Sequence, residues 1–162
     1  MSKIIYCDGS SLGNPGPGGF GVLAIDSEKK LFWEYGGAAD IATNNQMELA
    51  ACVFALKLIL KSSGSNFEIR LDSKYVLQGA TEWIKNWVKN NWKSSQKKDV
   101  LNKDYWQEIL ELKKEIQLKK TTIKWTHVYG HTGEVWNERV DEIAKSFASK
   151  EKIKLEQAKA YK

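Results

Sequence analysis

The chain has 162 residues, 42% of them hydrophobic and 28% charged, and its 25 Lys and Arg against 20 Asp and Glu give a net charge of +5. This composition excludes a disordered chain, and the length suits one domain with its own hydrophobic core. No apolar run approaches the roughly 18–20 residues that a membrane span needs, and Asp8 interrupts the first apolar segment before a signal-peptide core could form. Two cysteines, Cys7 and Cys52, are too few for a disulfide framework and fit a reducing compartment. We therefore expect a cytoplasmic protein with no membrane partner.

The positive charge is concentrated in two segments. Residues 1–82 carry a net charge of −2 and residues 104–149 a net charge of −1, whereas residues 83–103 carry +5 and residues 150–162 carry +3. Such asymmetry indicates a docking surface for a polyanion on a slightly acidic body.

Three short strands are predicted first, at Ile4–Cys7, Gly21–Ile25 and Leu31–Tyr35. Their short connections favour an antiparallel meander. Both prolines lie in the glycine-rich stretch Gly13–Gly19, which we interpret as a turn between the first two strands.

A helix over Thr43–Lys61 is the clearest element. Thr43 and Gln46 have the spacing of a capping box. The apolar residues that follow at helical spacing predict a buried stripe made of Met47, Ala50, Ala51, Phe54 and Leu58.

The second half of the chain alternates between strands and helices. We predict strands at Phe67–Leu71 and Ile123–Val128, and helices at Ser73–Gly79, Trp83–Val88, Asp104–Leu118 and Val135–Ser149. Together, the elements predict an α/β domain with a mixed five-stranded sheet flanked by helices.

Four acidic residues stand at places where acids are costly to bury, namely Asp8, Glu48, Asp72 and Asp141. Asp8 and Asp72 each follow an apolar strand directly, so they would meet if those strands were neighbours. Converging carboxylates would suit Mg²⁺, which prefers oxygen ligands. Each acid taken singly could equally be a cap, a turn residue or a solvated side chain.

Four blocks closely resemble type 1 ribonuclease H in its bacterial form with a basic protrusion. They are Tyr6–Gly21, Thr43–Ala50, Leu71–Val76 and Gly130–Ala144, and they occur in the family's order and spacing. The resemblance runs from about residue 3 to residue 149, so we expect a catalytic domain over 1–149.

The resemblance implies cleavage of the RNA strand of an RNA/DNA hybrid. It implies a monomeric endonuclease that depends on Mg²⁺, with Mn²⁺ as a possible substitute, and that leaves 5′-phosphate and 3′-hydroxyl ends. By matching position, Asp8, Glu48, Asp72 and Asp141 would bind two metal ions and take part in catalysis. His131, flanked by Gly130, would move protons or help product release, whereas His127 is interpreted as a structural strand residue.

The same matching implies substrate contacts around the carboxylates. The residues are Ser10, Asn14, Thr43, Asn44, Asn45, Gln46 and Lys74. The Asn residues would contact the minor groove of the hybrid. Gln46 stands where some members carry Arg and Lys74 where some carry Gln, so a phosphate contact would be weaker at the first position and stronger at the second.

Residues 83–103 match the basic protrusion of bacterial members, which grips the DNA strand. Lys85, Lys89 and Lys93 would share one side of a helix, and Trp83 and Trp87 another. These lysines would bind phosphates and the two tryptophans would line the DNA channel. From composition alone, packed tryptophans and a solvated lysine face explain the segment equally well, and Trp92 and Trp106 are as readily structural.

Residues 150–162 lie outside the resemblance, and we expect a solvated tail that is a loosely docked or frayed helix. Three rival interpretations remain open. One is a relative with the same fold, either a retroviral-type domain or a DNA recombinase; the others are an inactive hybrid-binding protein and a zinc-dependent regulator. The two histidines fall on a strand and the turn after it with no Cys pair beside them, which disfavours zinc.

Overall fold

The computed structural model describes residues 3–130 and 134–162, and in them a mixed sheet forms the centre. Its strands are β1 (Lys3–Ser11), β2 (Gly16–Asp26), β3 (Leu31–Ala42), β4 (Asn66–Leu71), β5 (Thr122–His127) and β6 (Lys159–Ala160). Their order is β5-β4-β1-β2-β3-β6. The pairs β1–β2, β2–β3 and β3–β6 are antiparallel, and β1–β4 and β4–β5 are parallel. The predicted α/β class is confirmed, and β6 adds a sixth strand to the five predicted.

Helices cover both faces of this sheet. They are α1 (Asn44–Lys61), α2 (Lys74–Gln78), α3 (Ile84–Lys89), α4 (Lys103–Leu118) and α5 (Val135–Ala148), with one π-helical turn at Gly79–Trp83 between α2 and α3. Helix α1 packs between the sheet and α4, whereas α5 packs on the opposite face against β1, β2 and β3. Within the described ranges, no helix combines the length and the apolar character needed to cross a membrane.

Helix α1 begins with the predicted capping box. The Thr43 hydroxyl accepts a hydrogen bond from the backbone N–H of Gln46 at 3.1 Å, and the Gln46 side chain accepts one from the backbone N–H of Thr43 at 3.0 Å. The predicted stripe is only partly right: Met47 and Ala51 are buried, whereas Ala50, Phe54 and Leu58 are half-buried, because α1 has neighbours on more than one side. Its buried residues are Met47, Leu49, Ala51, Cys52, Val53, Ala55, Leu56 and Ile59.

The predicted turn over Gly13–Gly19 is shorter than expected. Strand β2 begins at Gly16, so Gly18 and Gly19 are buried strand residues. A Cβ atom on Gly19 would collide with the backbone of α5 at Ala144 and Ala148. These glycines therefore serve helix packing, in addition to any role in the turn.

Three lysines of the basic segment do not share one helix face, contrary to our expectation. Lys85 and Lys89 are exposed on α3, but the helix ends at Lys89, and Asn91 and Trp92 adopt left-handed conformations with φ of 54° and 61°. The chain therefore turns before Lys93, whose Nζ lies 2.6 Å from Oδ1 of Asp99.

The tryptophans of this segment form an aromatic cluster. The ring of Trp87 lies 6.0 Å from Trp83, 6.3 Å from Trp92 and 5.2 Å from Trp106 between centroids. Trp106 is completely buried beneath Gly79, and its Nε1 donates a hydrogen bond to the Tyr75 hydroxyl at 3.3 Å. The cluster attaches the basic segment to the main core.

The C-terminal segment, residues 150–162, is not a frayed helix. It runs extended along β3 and pairs with it as β6, with Leu31 opposite Ala160 and Phe32 opposite Lys159. The ring of Tyr161 then packs edge-on against Trp136 of α5 at 5.3 Å. The prediction was wrong because these partners lie far away in the sequence.

Replacing Trp106 by Ala should lower the free energy of unfolding by about 3–5 kcal/mol, because it empties the centre of the aromatic cluster. Urea unfolding followed by circular dichroism measures the change. Leu118 is 84% exposed at the end of the same helix, so Leu118→Ala should change stability by less than about 0.5 kcal/mol. A loss below about 1 kcal/mol for Trp106→Ala would contradict the packing described.

Candidate active site

Parallel pairing of β1 with β4 brings two acidic residues to one edge of the sheet. Tyr6 stands opposite Arg70 in this pairing, so Asp8 and Asp72, two residues further along each chain, lie side by side. Asp8 is buried in the sheet, and Asp72 follows β4 directly. Asp8 and Asp72 were expected to meet if their strands were neighbours, and β1 and β4 are neighbours.

Glu48 reaches the same place from α1. Its Oε1 accepts a hydrogen bond from the backbone N–H of Gly9 at 2.9 Å, and that N–H also lies 2.9 Å from Oδ1 of Asp8. A Cβ atom on Gly9 would collide with the α1 backbone at Met47 and Glu48. The absence of a side chain on Gly9 thus allows the start of α1 to lie directly on β1.

The three carboxyl groups form a tight cluster. One oxygen from each of Asp8, Glu48 and Asp72 lies within 4.8 Å of the others, the only such cluster of potential metal ligands among the described residues. All the ligand atoms are carboxylate oxygens, so the donor set fits a hard divalent cation such as Mg²⁺.

Asp141 lies at the border of this cluster. It lines a small cavity together with Asp72, Gly130, Asn137 and Glu138, and its negative charge raises the pKa of Asp8. Its Oδ2 forms an ion pair with Nζ of Lys145, one helical turn later, at 2.9 Å. This contact raises the pKa of Lys145. The structure thus brings the fourth predicted acid to the site, outside the three-carboxyl set.

Burial and mutual repulsion perturb the cluster strongly. Burial, with the charges of Asp72 and Asp141, raises the pKa of Asp8 to about 7. Burial and the charge of Asp8 raise the pKa of Glu48. Both carboxyl groups therefore hold a proton more tightly than they would in water.

His127 has a closer connection to the site than its strand position suggested. Its Nε2 lies 3.1 Å from the backbone oxygen of Asp72, and its ring packs edge-on against Tyr129 at 4.8 Å. The imidazole thereby supports the turn that carries Asp72. His131, the predicted proton carrier, lies outside the described residues.

Several of the predicted substrate contacts bond to one another or to the backbone of α1. Oδ1 of Asn14 accepts a hydrogen bond from the backbone N–H of Asn44 at 2.9 Å, and Oδ1 of Asn44 accepts one from Ser11 N–H at 2.8 Å. Thr43 and Gln46 are engaged in the capping box. Asn45 and Lys74 are exposed, and Ser10 is half-buried at the end of β1.

The sequence pattern gave Gly9 and Lys145 no role at this site, and it placed His127 on a strand without linking it to Asp72. Lys145 had a local signal, since a lysine four residues after an acid on a helix can form an ion pair with it. Gly9 and His127 had none of comparable strength, because their partners lie on other elements.

Without divalent cations, the protein should lose stability as the pH rises from about 4 to about 7. The folded state binds the Asp8 proton more tightly than the unfolded state, whose pKa stays near 3.8, so this stability is fully present below about 4 and is lost by the pH at which Asp8 ionises in the folded state. Asp8→Asn, which stays neutral, should therefore be the more stable protein at pH 8, by up to about 4 kcal/mol.

Urea unfolding in EDTA at pH 5 and pH 8 measures this difference. The exposed Asp40 provides the matched control, because Asp40→Asn should not change the pH dependence. Equal stability of Asp8→Asn and the unaltered chain at pH 8 would refute the predicted repulsion.

Comparison with known proteins agrees with this geometry. The ribonuclease H family model matches residues 1–149. A ribonuclease H from Cyanothece sp. is 41% identical over 159 residues, which cover 98% of this chain and 96% of that protein.

Two solved structures with the same fold are similar at lower identity. LC9-RNase H1, a type 1 RNase H with the type 2 active-site motif, has a TM-score of 0.77 at 26% identity and is matched over 91% of this chain and 72% of its own. LC11-RNase H1, solved in complex with an RNA/DNA hybrid, has a TM-score of 0.67 at 25% identity over 92% and 98% of the two chains. The family match over nearly the whole chain, together with the cluster of acidic residues at the expected positions, identifies this chain as a member of the ribonuclease H family, an enzyme family that depends on divalent metal ions.

Proposed function

We propose that this enzyme cleaves the RNA strand of RNA/DNA hybrids internally, leaving 5′-phosphate and 3′-hydroxyl ends. The observation that carries the proposal is the convergence of Asp8, Glu48 and Asp72 within 4.8 Å. The hybrid complex of LC11-RNase H1 supports the choice of substrate. The catalytic domain would be residues 1–149, with residues 83–103 as its basic protrusion.

Asp8, Glu48, Asp72 and Asp141 would hold two Mg²⁺ ions, for which Mn²⁺ could substitute. Bound there, such ions activate an attacking water and stabilise the leaving 3′ oxygen of a phosphodiester. The chain's own contribution is to keep these oxygens in place. Gly9 N–H orients the Asp8 and Glu48 carboxylates, and His127 supports the backbone at Asp72. We propose that His131 transfers protons or assists product release.

Substrate recognition would rely on the backbone of the hybrid. The exposed Asn44 and Asn45 stand at the start of α1, a favourable position for a phosphate, and Lys74 lies two residues from Asp72. Lys85 and Lys89 on α3 would bind the DNA strand, with Trp83 and Trp87 along its channel. Contacts of this kind favour weak sequence preference.

We also propose that the enzyme acts as a monomer in the cytoplasm. All four carboxylates come from one chain, which supports a monomer as the active form. Cys7 and Cys52 are free and buried, which supports a reducing compartment such as the cytoplasm.

Asp72→Asn should lower hydrolysis of a labelled RNA/DNA hybrid by about 1000-fold or more while binding of the hybrid survives, because it removes one ligand charge and leaves the basic surface intact. Cleavage with Mg²⁺ and binding at equilibrium are measured in parallel, with duplex RNA and duplex DNA as substrate controls. Asp40→Asn is the matched variant and should retain full activity. Undiminished cleavage by Asp72→Asn, or by the unaltered chain in EDTA, would refute the metal-dependent mechanism.

The double substitution Lys85→Ala with Lys89→Ala should weaken hybrid binding and make it less dependent on salt. Each lost phosphate contact reduces the slope of log affinity against log salt by about 1, so the expected reduction is about 2. Binding is measured between about 50 and 200 mM salt, a range over which the affinity of a protein for nucleic acid falls strongly. Lys93→Ala is the control, because Lys93 is paired with Asp99. An unchanged slope in the double variant would refute the role of α3.

A further inference from the structure

The C-terminal segment has no part in the proposed reaction, yet it borders a deeply buried acid. Glu34 lies on β3 with 1% of its surface exposed. A buried carboxylate needs partners to offset its lost hydration. Arg139 of α5 supplies two of them in the bidentate manner, with Nε 2.5 Å from Oε2 and Nη2 2.9 Å from Oε1.

The segment completes this buried pair from both sides. Glu156 donates its backbone N–H to Oε1 of Glu34 at 2.9 Å and accepts the backbone N–H of Glu34 at 2.8 Å. The Gln157 amide donates to the backbone oxygen of Glu34 at 2.6 Å. Arg139 in turn donates from Nη2 to the backbone oxygen of Lys154 at 3.1 Å. The segment therefore bonds to β3 and α5 together.

The surface beneath α5 explains why this anchor matters. The helix lies across Gly19, Gly21 and Gly36, where a Cβ atom would collide with its backbone or with the Phe147 ring. These glycines let the α5 backbone approach the sheet closely, and Val140, Ile143 and Phe147 are buried side chains of the same helix. The hydrogen bonds and aromatic contacts at the border of the interface add to this packing in fixing where the helix lies. Besides Arg139, the border includes Trp136, packed between Phe32 at 5.1 Å and Tyr161 at 5.3 Å.

We propose that residues 150–162 are a positioning strap, which fixes α5 through the Glu34–Arg139 pair and so sets the place of Asp141 in the active site. Asp141 is two residues from Arg139 on the same helix, so a shift of α5 moves both. Mg²⁺ requires nearly ideal octahedral geometry at about 2.0–2.1 Å, and a displacement of about 1 Å would weaken its binding. The proposal rests on the proposed function in taking Asp141 as a metal ligand. Glu34 and Arg139 act as positioning residues.

Three measurements on a chain that ends at Ser149 test the strap. Titration calorimetry with Mg²⁺ and no nucleic acid should show a dissociation constant raised by about 3- to 10-fold. Cleavage kinetics should show a matching loss of kcat at limiting Mg²⁺ that excess Mg²⁺ restores, with the KM for the hybrid changed less than about 2-fold, because the basic surface is untouched. Hydrogen exchange in EDTA should be faster by about 10-fold for the amides of α5.

Glu34→Gln provides a second variant should the shortened chain fail to fold, since it retains the shape of the side chain and removes the charge that Arg139 binds. Like the shortened chain, this variant should bind Mg²⁺ more weakly and exchange the amide hydrogens of α5 faster. Leu112→Ala is the control, because it weakens the core on the other face of the sheet, where Leu112 is buried on α4. It should leave Mg²⁺ affinity unchanged.

The outcomes separate the strap from the proposed function. Folded variants with unaltered Mg²⁺ affinity and unaltered α5 exchange would overturn the strap, and so would an equal loss of affinity in Leu112→Ala. If the complete chain bound no Mg²⁺, the proposed function would fail instead, and the exchange of α5 in EDTA would still decide whether the segment holds that helix.

Discussion

Repulsion between buried carboxyl groups is the interaction on which the rest of this structure depends. Asp8, Glu48 and Asp72 hold oxygens within 4.8 Å of one another, and the burial of Asp8 limits the water that could screen them. The cost appears as the raised pKa values of Asp8 and Glu48. A divalent cation would remove this cost, so the same repulsion that destabilises the metal-free fold favours metal binding.

The fold withstands this repulsion because the elements that carry the acids are firmly packed. Strands β1 and β4 are interior strands of the sheet, and α1 is buried on more than one side. Gly9 lets α1 lie against β1 without an intervening side chain. The cluster thus rests on rigid elements. Asp141 differs, since its helix lies on glycines and is held at its border by Arg139 and Trp136.

Charge is distributed to match this arrangement. The acidic groups converge beside the carboxyl end of β4, next to β1, while the lysines of α3 stand exposed on a segment joined to the core by its tryptophans. The net charge of +5 describes neither part. A polyanionic substrate would be attracted by the second region and processed at the first.

Signals that act over a few residues were predicted well. The Thr43–Gln46 capping box is present as expected, and the strands appear in their predicted places with extended ends. Errors arose where a helix ended early and where distant partners decide the conformation. Lys93 turns away because Asn91 and Trp92 adopt left-handed conformations. Residues 150–162 are extended because β3, far away in the sequence, offers Glu34 and an edge for pairing.

The sequence by itself determined the class of fold and which four acidic residues are candidate metal ligands. It could do so because strand and helix periodicity are local and the motif blocks resemble a known family. Only the tertiary structure decided which oxygens meet, that Lys93 pairs with Asp99 while Lys85 and Lys89 lie exposed on α3, and that the C-terminal segment docks on Glu34. These outcomes depend on parallel pairing, on the close approach of α1 to Gly9 and on hydrogen bonds between residues more than a hundred positions apart. Such contacts form only when the whole sheet is assembled, so no local pattern encodes them.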